Sequence, residues 1–318
     1  MNAPTEAAPQ KVLMLLTSDF VTARYEALRE RAPGLHVVTE LGAEPDPDVT
    51  ALFAFKLPAG IAPRVPNLRL AASVGAGADG ILSAPDLPAH VKVTRAVEAG
   101  LGLSMAQYVS LQILSHFRLL PRMQAQHAAG EWKRLPVPDA RKVTVGIMGL
   151  GSIGSVVAEV VGALGFKVIG WTRSEARAAS GPVFVGERGM DAFLGQCDYL
   201  VCLLPITAQT TGLLDRSRLS KLPKGSYVIN VARGGIVAEQ DLLALVDEGH
   251  LSGAAFDVFA TEPLPPTSAF WRHDKVLVTP HIAAQPSVGP VVEQFIDNLR
   301  RLSQGEPLLN EVDRALGY

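Results

Sequence analysis

Cysteine is scarce in this chain of 318 residues, which has only Cys197 and Cys202, five positions apart in the apolar run CDYLVCLLP. A disulfide-stapled secreted scaffold is excluded, and both thiols read as buried strand residues in a reducing compartment, with neither a disulfide nor a metal site expected. An excess of charge of one sign is missing as well. Twenty-nine Lys and Arg against 31 Asp and Glu leave a formal charge of −2, so no basic face for nucleic acid is expected. No apolar run approaches the roughly 18 residues that span a bilayer, and MNAPTEAAPQ lacks the basic-then-apolar order of a signal peptide. The expectation is a cytoplasmic protein with no membrane partner and about ten disordered residues at its start.

What the chain does have is apolar mass. At 48% hydrophobic and 19% charged residues it can build two cored domains, since a domain takes about 100 to 200 residues. Lys11 to Thr17 reads as a first strand, Phe20 to Arg31 as a helix, and His36 to Thr39, Leu52 to Phe55, Leu70 to Val74 and Val91 to Thr94 as further strands. Strands alternating with helices predict a parallel sheet. The loop Ser73 to Gly77 follows a strand, so its backbone N–H groups could meet a carboxylate, although the same residues read equally as a simple turn. Leu103 to Leu120 has apolar residues at helical spacing and is expected to be a long buried helix, continued by a second piece from Pro121 to Lys133. Within that piece Trp132 is read as core in preference to an interface anchor.

A second α/β unit is organised around TVGIMGLGSIGSVVAEVVGALGFKVIGWTRS, residues 144–174. An apolar run, Val145 to Met148, meets Gly149, Gly151 and Gly154 in the spacing G-x-G-x-x-G; a helical stretch to Leu164 and a second β-branched run from Lys167 follow. Strand, tight turn, helix and strand in that order form a dinucleotide site, with the helix N-terminus turned toward the pyrophosphate. A site for NAD usually places an Asp or Glu at the end of the second strand, about 20 residues past the glycines. Here Trp171, Thr172, Arg173 and Ser174 stand there instead. A guanidinium and a hydroxyl can bind the extra phosphate of NADP, which a carboxylate would repel, so NADPH is expected in preference to NADH, with NADH still possible. A solvated surface arginine is the plainer reading of Arg173.

Beyond this unit, strands are read at Cys197 to Leu204, Tyr227 to Val231, Gly253 to Phe256 and Val276 to Thr279, with helices at Ala238 to Glu248 and Val291 to Gln304. Arg233, Asp257 and His281 fall just past strand ends, and in a parallel sheet such ends share one edge with the glycine turn. Arginine grips a carboxylate and a keto oxygen through paired N–H donors. Histidine exchanges a proton near neutral pH, and a carboxylate such as Glu262 on its other ring nitrogen fixes the tautomer. The set suits a 2-keto acid, although a lone His after Pro or an Arg-Gly-Gly turn is often only structural.

The motifs SVGAGADG (73–80), QYV (107–109), GIMGLGSIG (146–154), LLPITAQTTGLL (203–214), VINVARGGIVAEQDLLALVDEG (228–249), GAAFDVFATEPLP (253–265) and VTPHIAA (278–284) occur in one order along most of the chain. In these pieces the sequence resembles the D-isomer-specific 2-hydroxyacid dehydrogenase family. WTRS (171–174), GEWKRL (130–135) and residues 262–284 resemble that family's glyoxylate/hydroxypyruvate reductase A branch, which prefers NADPH. The resemblance implies two Rossmann-like, doubly wound parallel-sheet domains: a discontinuous substrate domain, 1–98 plus 286–318, and an NAD(P)-binding domain, 99–285.

It further implies a catalytic trio of Arg233, Glu262 and His281, with the backbone of Val74 and Gly75 taking the substrate carboxylate alongside Arg233 and His281. The cofactor would be held by Gly149, Gly151, Ser152, Ile153, Gly154, Thr172, Arg173, Ser174, Leu204, Pro205, Thr210, Val231, Ala232, Asp257 and Ala283. The implied activity is NADPH-dependent reduction of small 2-keto acids to D-2-hydroxy acids by a cytoplasmic homodimer. Alternatives are the same chemistry on a bulkier acid such as phenylpyruvate, or a nucleotide-sensing regulatory protein of the same fold. Gln107 and Pro286 stand where Glu and Thr are common in the family, and Phe55 and Lys56 where the reductase branch tends to carry Trp.

Overall fold

Short β-branched runs bounded by Gly, Pro and polar residues suit strands covered on both faces, and the polar-apolar periods between them suit helices that cover those faces. The computed structural model describes residues 11–16, 18–173 and 181–317. It divides into two compact units, Met1–Gly100 with Pro286–Tyr318, and Leu101–Gln285.

The first unit begins with β1 (Lys11–Leu15), α1 (Ser18–Arg31), β2 (His36–Val38), β3 (Val49–Ala54), β4 (Leu70–Ser73), α2 (Asp79–Leu82) and β5 (Lys92–Thr94). Its sheet is parallel throughout and ordered β2-β1-β3-β4-β5. That is the flavodoxin-like version of the doubly wound arrangement.

After α3 (Ala99–Phe117) and α4 (Leu120–Ala128), the second unit runs through β6 (Thr144–Met148), α5 (Ser152–Ala163), β7 (Lys167–Thr172), β8 (Val183–Val185), α6 (Gly186–Leu194) and β9 (Tyr199–Cys202). It continues with α7 (Arg216–Leu219), β10 (Tyr227–Asn230), α8 (Glu239–Asp247), β11 (Gly253–Phe256) and β12 (Val276–Val278). The parallel sheet is ordered β12-β11-β10-β9-β6-β7-β8. The order reverses between β6 and β9, the switch point where open α/β sheets bind ligands. The last helix, α9 (Val288–Gln304), belongs to the first unit, where Phe295 stacks on Phe53 of β3 with ring centroids 4.4 Å apart.

Three expectations need correction. The helix over 103–120 is not buried all round: α3 inserts Leu101, Met105, Val109 and Ile113 into the core, while Leu103 and Leu111 on its other side are 50% and 58% exposed. Trp132 is not core but 100% exposed, because α4 stops at Ala128, Gly130 turns the chain at φ 67°, and the ring lies on an irregular segment. Cys197 precedes β9 and only Cys202 lies in the strand, though both thiols are free and fully buried. Burial pushes both up, Cys202 to about 12, and leaves them unreactive at neutral pH. β8 and α6 were not anticipated; the glycines at 181, 186, 189 and 195 interrupt any readable period there.

Candidate active site

The glycine turn is built by close approach. Gly149 adopts φ 101°, a backbone that L side chains rarely take, and a Cβ there would sit 2.9 Å from the Leu203 carbonyl oxygen. A Cβ on Gly154 would overlap the Gly149 carbonyl oxygen, so only glycine lets α5 start this close to β6. Gly151 faces open space instead. The first helical bond of α5 runs from Ser155 N–H to Gly151 O at 3.0 Å, so the N–H groups of Ser152, Ile153 and Gly154 stand at the positive end of a 12-residue helix. Open space over Gly151, beside those donors, fits a dinucleotide's pyrophosphate.

Registry places Trp171 of β7 beside Met148 of β6, so the strand end that carries Thr172 and Arg173 lies next to the glycine turn. Trp171 is buried and its indole N–H donates to Gly186 O at 3.0 Å, while Arg173 is exposed. Ser174, expected at the same phosphate, lies outside the described residues. On the other side of β6, β9 ends before Leu204, which is buried, and Pro205, which is exposed. Thr210 is tied into that loop, since its hydroxyl donates to Pro205 O and accepts from Thr207 N–H, both at 2.7 Å. Val231 and Ala232 follow β10 and are nearly buried.

The catalytic candidates converge because backbones do. Asn230, wholly buried at the end of β10, accepts from Ala232 N–H at 3.2 Å and donates to Arg233 O at 3.1 Å, which clamps the arginine's turn. Arg233 Nη1 donates to Ala232 O at 2.7 Å. A Cβ on Gly234 would overlap the backbone of Phe259 and Ala260, so glycine brings the Arg233 segment against the segment leading to Glu262. Glu262 Oε1 accepts from Phe259 N–H at 2.9 Å, and Oε2 lies 2.7 Å from His281 Nδ1. Burial pushes Glu262 up, but the hydrogen bonds from His281 and Phe259 N–H and the nearby charges of His281 and Arg233 outweigh it and hold the carboxyl below its ordinary value of 4.5. An ionised Glu262 accepts an N–H from Nδ1, which leaves Nε2 as the nitrogen that exchanges a proton.

Asp257, expected at the cofactor's amide, is nearly buried at 1% exposure and holds the histidine's turn. Its Oδ1 accepts from Thr279 Oγ1 at 2.6 Å and Ile282 N–H at 2.9 Å, its Oδ2 from Ala283 N–H at 2.9 Å, and its carbonyl from His281 N–H at 2.8 Å. Sequence reasoning missed Asn230, Tyr108 and Thr279. Only the Asn in VINVARGG and the Thr before Pro280-His281 offered a local signal. Of the other histidines, His116 is engaged on both ring nitrogens, with Tyr199 Oη at 2.8 Å and Ser252 Oγ at 3.1 Å.

In the first unit, the loop expected to meet a substrate carboxylate follows β4. Val74 N–H donates to Ala54 O at 3.1 Å, which extends the sheet by one bond past β4. Gly75 N–H makes a longer bond, 3.2 Å, to Ser73 Oγ, whose own hydrogen goes to Gly77 O. Phe55 leans on this loop: a Cβ on Gly75 would lie 3.3 Å from its ring.

A doubly wound sheet with a glycine turn at its switch point, and an Arg, Glu and His gathered past its strand ends, define an NAD(P)-dependent oxidoreductase. Residues 110–283 match the family model described as D-isomer specific 2-hydroxyacid dehydrogenase, NAD binding domain, and the chain belongs to that family. It is 42% identical over 257 residues to glyoxylate/hydroxypyruvate reductase A of Salmonella newport, covering 79% of this chain and 82% of that one. Among solved structures it is similar to a D-isomer specific 2-hydroxyacid dehydrogenase from Xanthobacter autotrophicus in complex with NADPH and MES, with a TM-score of 0.90, 36% identity, and 98% and 100% of the two chains covered. It is also similar to an NADPH-dependent glyoxylate/hydroxypyruvate reductase from Sinorhizobium meliloti in complex with NADP and sulfate, with a TM-score of 0.90, 35% identity, and 97% and 100% covered.

Proposed function

We propose that this protein reduces small 2-keto acids of the glyoxylate and hydroxypyruvate type to D-2-hydroxy acids with NADPH. The observation that carries the reading is the 2.7 Å pair of Glu262 and His281, which commits Nδ1 and reserves Nε2 for the substrate oxygen. When bound, NADPH supplies a hydride to the keto carbon. His281, protonated, donates from Nε2 to the oxygen as charge develops there, and Glu262 stabilises the imidazolium beforehand. Arg233 grips the carboxylate and polarises the keto oxygen. In the first unit, the backbone of Val74 and Gly75 is the donor set in this reading for a substrate carboxylate.

Gly149, Gly151, Ser152, Ile153 and Gly154 hold the pyrophosphate in this reading, and Thr172, Arg173 and Ser174 the 2′-phosphate. Leu204, Pro205, Thr210, Val231, Ala232, Asp257 and Ala283 surround the rest of the cofactor. The NADPH complex of the Xanthobacter relative and the NADP complex of the Sinorhizobium relative support the choice of cofactor. The reading includes a homodimer, supported by Trp132 standing 100% exposed on a stretch that also exposes Leu103, Leu111 and Val137. It includes a reducing, cytoplasmic setting, supported by two buried free thiols.

The test is oxidation of NADPH and NADH, followed by loss of reduced-cofactor absorbance, against glyoxylate, hydroxypyruvate and phenylpyruvate. Turnover on the two small acids with NADPH is expected, and Arg173→Ala should weaken NADPH far more than NADH, by about 1–3 kcal/mol for a lost charged hydrogen bond. Turnover confined to phenylpyruvate would move the substrate to bulkier acids. NADPH binding without turnover on any acid would favour a sensor.

A further inference from the structure

His281 occupies an uncommon backbone conformation for a non-glycine residue, φ 54°, and its turn is held from inside by one buried carboxylate. Asp257 accepts the N–H of Ile282, the N–H of Ala283 and, at its backbone oxygen, the N–H of His281 itself. A left-handed residue persists where its surroundings over-determine it, and these three bonds are those surroundings.

Asp257 is in turn the end of a chain of hydroxyls. Thr279 Oγ1 donates to Asp257 Oδ1 at 2.6 Å and lies 2.6 Å from Tyr108 Oη on α3. A threonine hydroxyl has one hydrogen, and here the carboxylate takes it. The phenol must therefore be the donor to Thr279, so the hydrogens run in one direction, from Tyr108 to Thr279 to Asp257. Burial, helped by the charge of Asp257, pushes the Tyr108 phenol up to about 12, so it remains a neutral donor throughout the working pH range.

We infer that Tyr108 and Thr279 are positioning residues for His281, acting through Asp257 to hold the histidine's turn from a helix 171 residues away in sequence from Thr279. They do not touch the reacting atoms. Their hydroxyls orient the carboxylate that orders the turn, and with the turn they set where Nε2 points. The inference rests on the reductase reading for its kinetic readout but not for its structural one.

Thr279→Val keeps the side-chain shape and removes the hydroxyl, Thr279→Ser returns the hydroxyl, and Tyr108→Phe removes only the first donor. With NADPH and glyoxylate, kcat should fall about tenfold or more in Thr279→Val and about threefold or more in Tyr108→Phe, while both KM values change by less than about twofold. Thr279→Ser should recover at least about half of the parental kcat, and the double variant should be no slower than Thr279→Val, because both changes break one chain. Parental kcat in both single variants, or multiplicative losses in the double, would overturn the inference. If the parent turns over no keto acid, the reductase reading fails on its own and the imidazole resonances decide. His281 nitrogen signals, assigned by their loss in His281→Ala, should shift in Thr279→Val and return in Thr279→Ser. Signals unchanged in every variant would refute the positioning role.

Discussion

Glu262 shows how one residue's protonation is coupled to the fold. Its carboxyl is held below the ordinary value of 4.5 because the hydrogen bonds and charges of His281, Phe259 N–H and Arg233 overcome the upward push of burial. A lowered folded value means that this group stabilises the native state fully above the unfolded value and loses that contribution as pH falls through the folded one. Comparing urea unfolding of the parent with that of Glu262→Gln from pH 7 downward, the difference should be constant above about pH 5 and shrink below about 4.5. The difference should be small, since 36% of the side chain is exposed and solvent screens it. A difference that stays flat to pH 3 would mean that the His281 pair is not formed in solution.

At the scale of elements, the site depends on places where two backbones meet with no room for a side chain. Gly154 starts α5 against the Gly149 carbonyl, and Gly234 lays the Arg233 segment on the Phe259–Ala260 backbone. Gly154→Ala forces α5 away from β6. It should destabilise the protein by about 1–3 kcal/mol and weaken NADPH by about tenfold or more, because the helix N-terminus leaves the pyrophosphate. Thermal unfolding and fluorescence titration measure the two effects. A stable variant with parental NADPH affinity would remove the close approach from the account of the cofactor site. The strand-end placement of Arg233 and His281 was readable in the sequence because parallel strands deliver their C-terminal ends to one edge.

At the scale of the whole molecule, large apolar side chains remain in water. Trp132 is 100% exposed, Val137 77%, Leu111 58% and Leu103 50%, all between positions 103 and 137. In the proposed function these side chains are covered by a second copy of the chain. Sedimentation of the parent at micromolar concentration should give a dimer, and Trp132→Glu should give a folded monomer. A parent that sediments as a monomer, or a variant that stays dimeric, would place the interface elsewhere or remove it. Among the described residues no helix is long and apolar enough to cross a membrane.

Local chemistry was enough to specify the strand-turn-helix of residues 144–164, the alternation of strands and helices, and Arg233, Glu262 and His281 as one constellation. Glycine spacing, apolar period and strand punctuation all act within a few residues of one another, so they are legible without a partner segment. The tertiary structure decided what depends on segments distant in sequence. It exposed Trp132, paired the Val74 N–H with Ala54 O, and made Asp257 the anchor of the histidine's turn with Thr279 and Tyr108 behind it. Whether a given donor or apolar face is already satisfied depends on which distant atoms the fold brings within about 3 Å, and no local pattern carries that information.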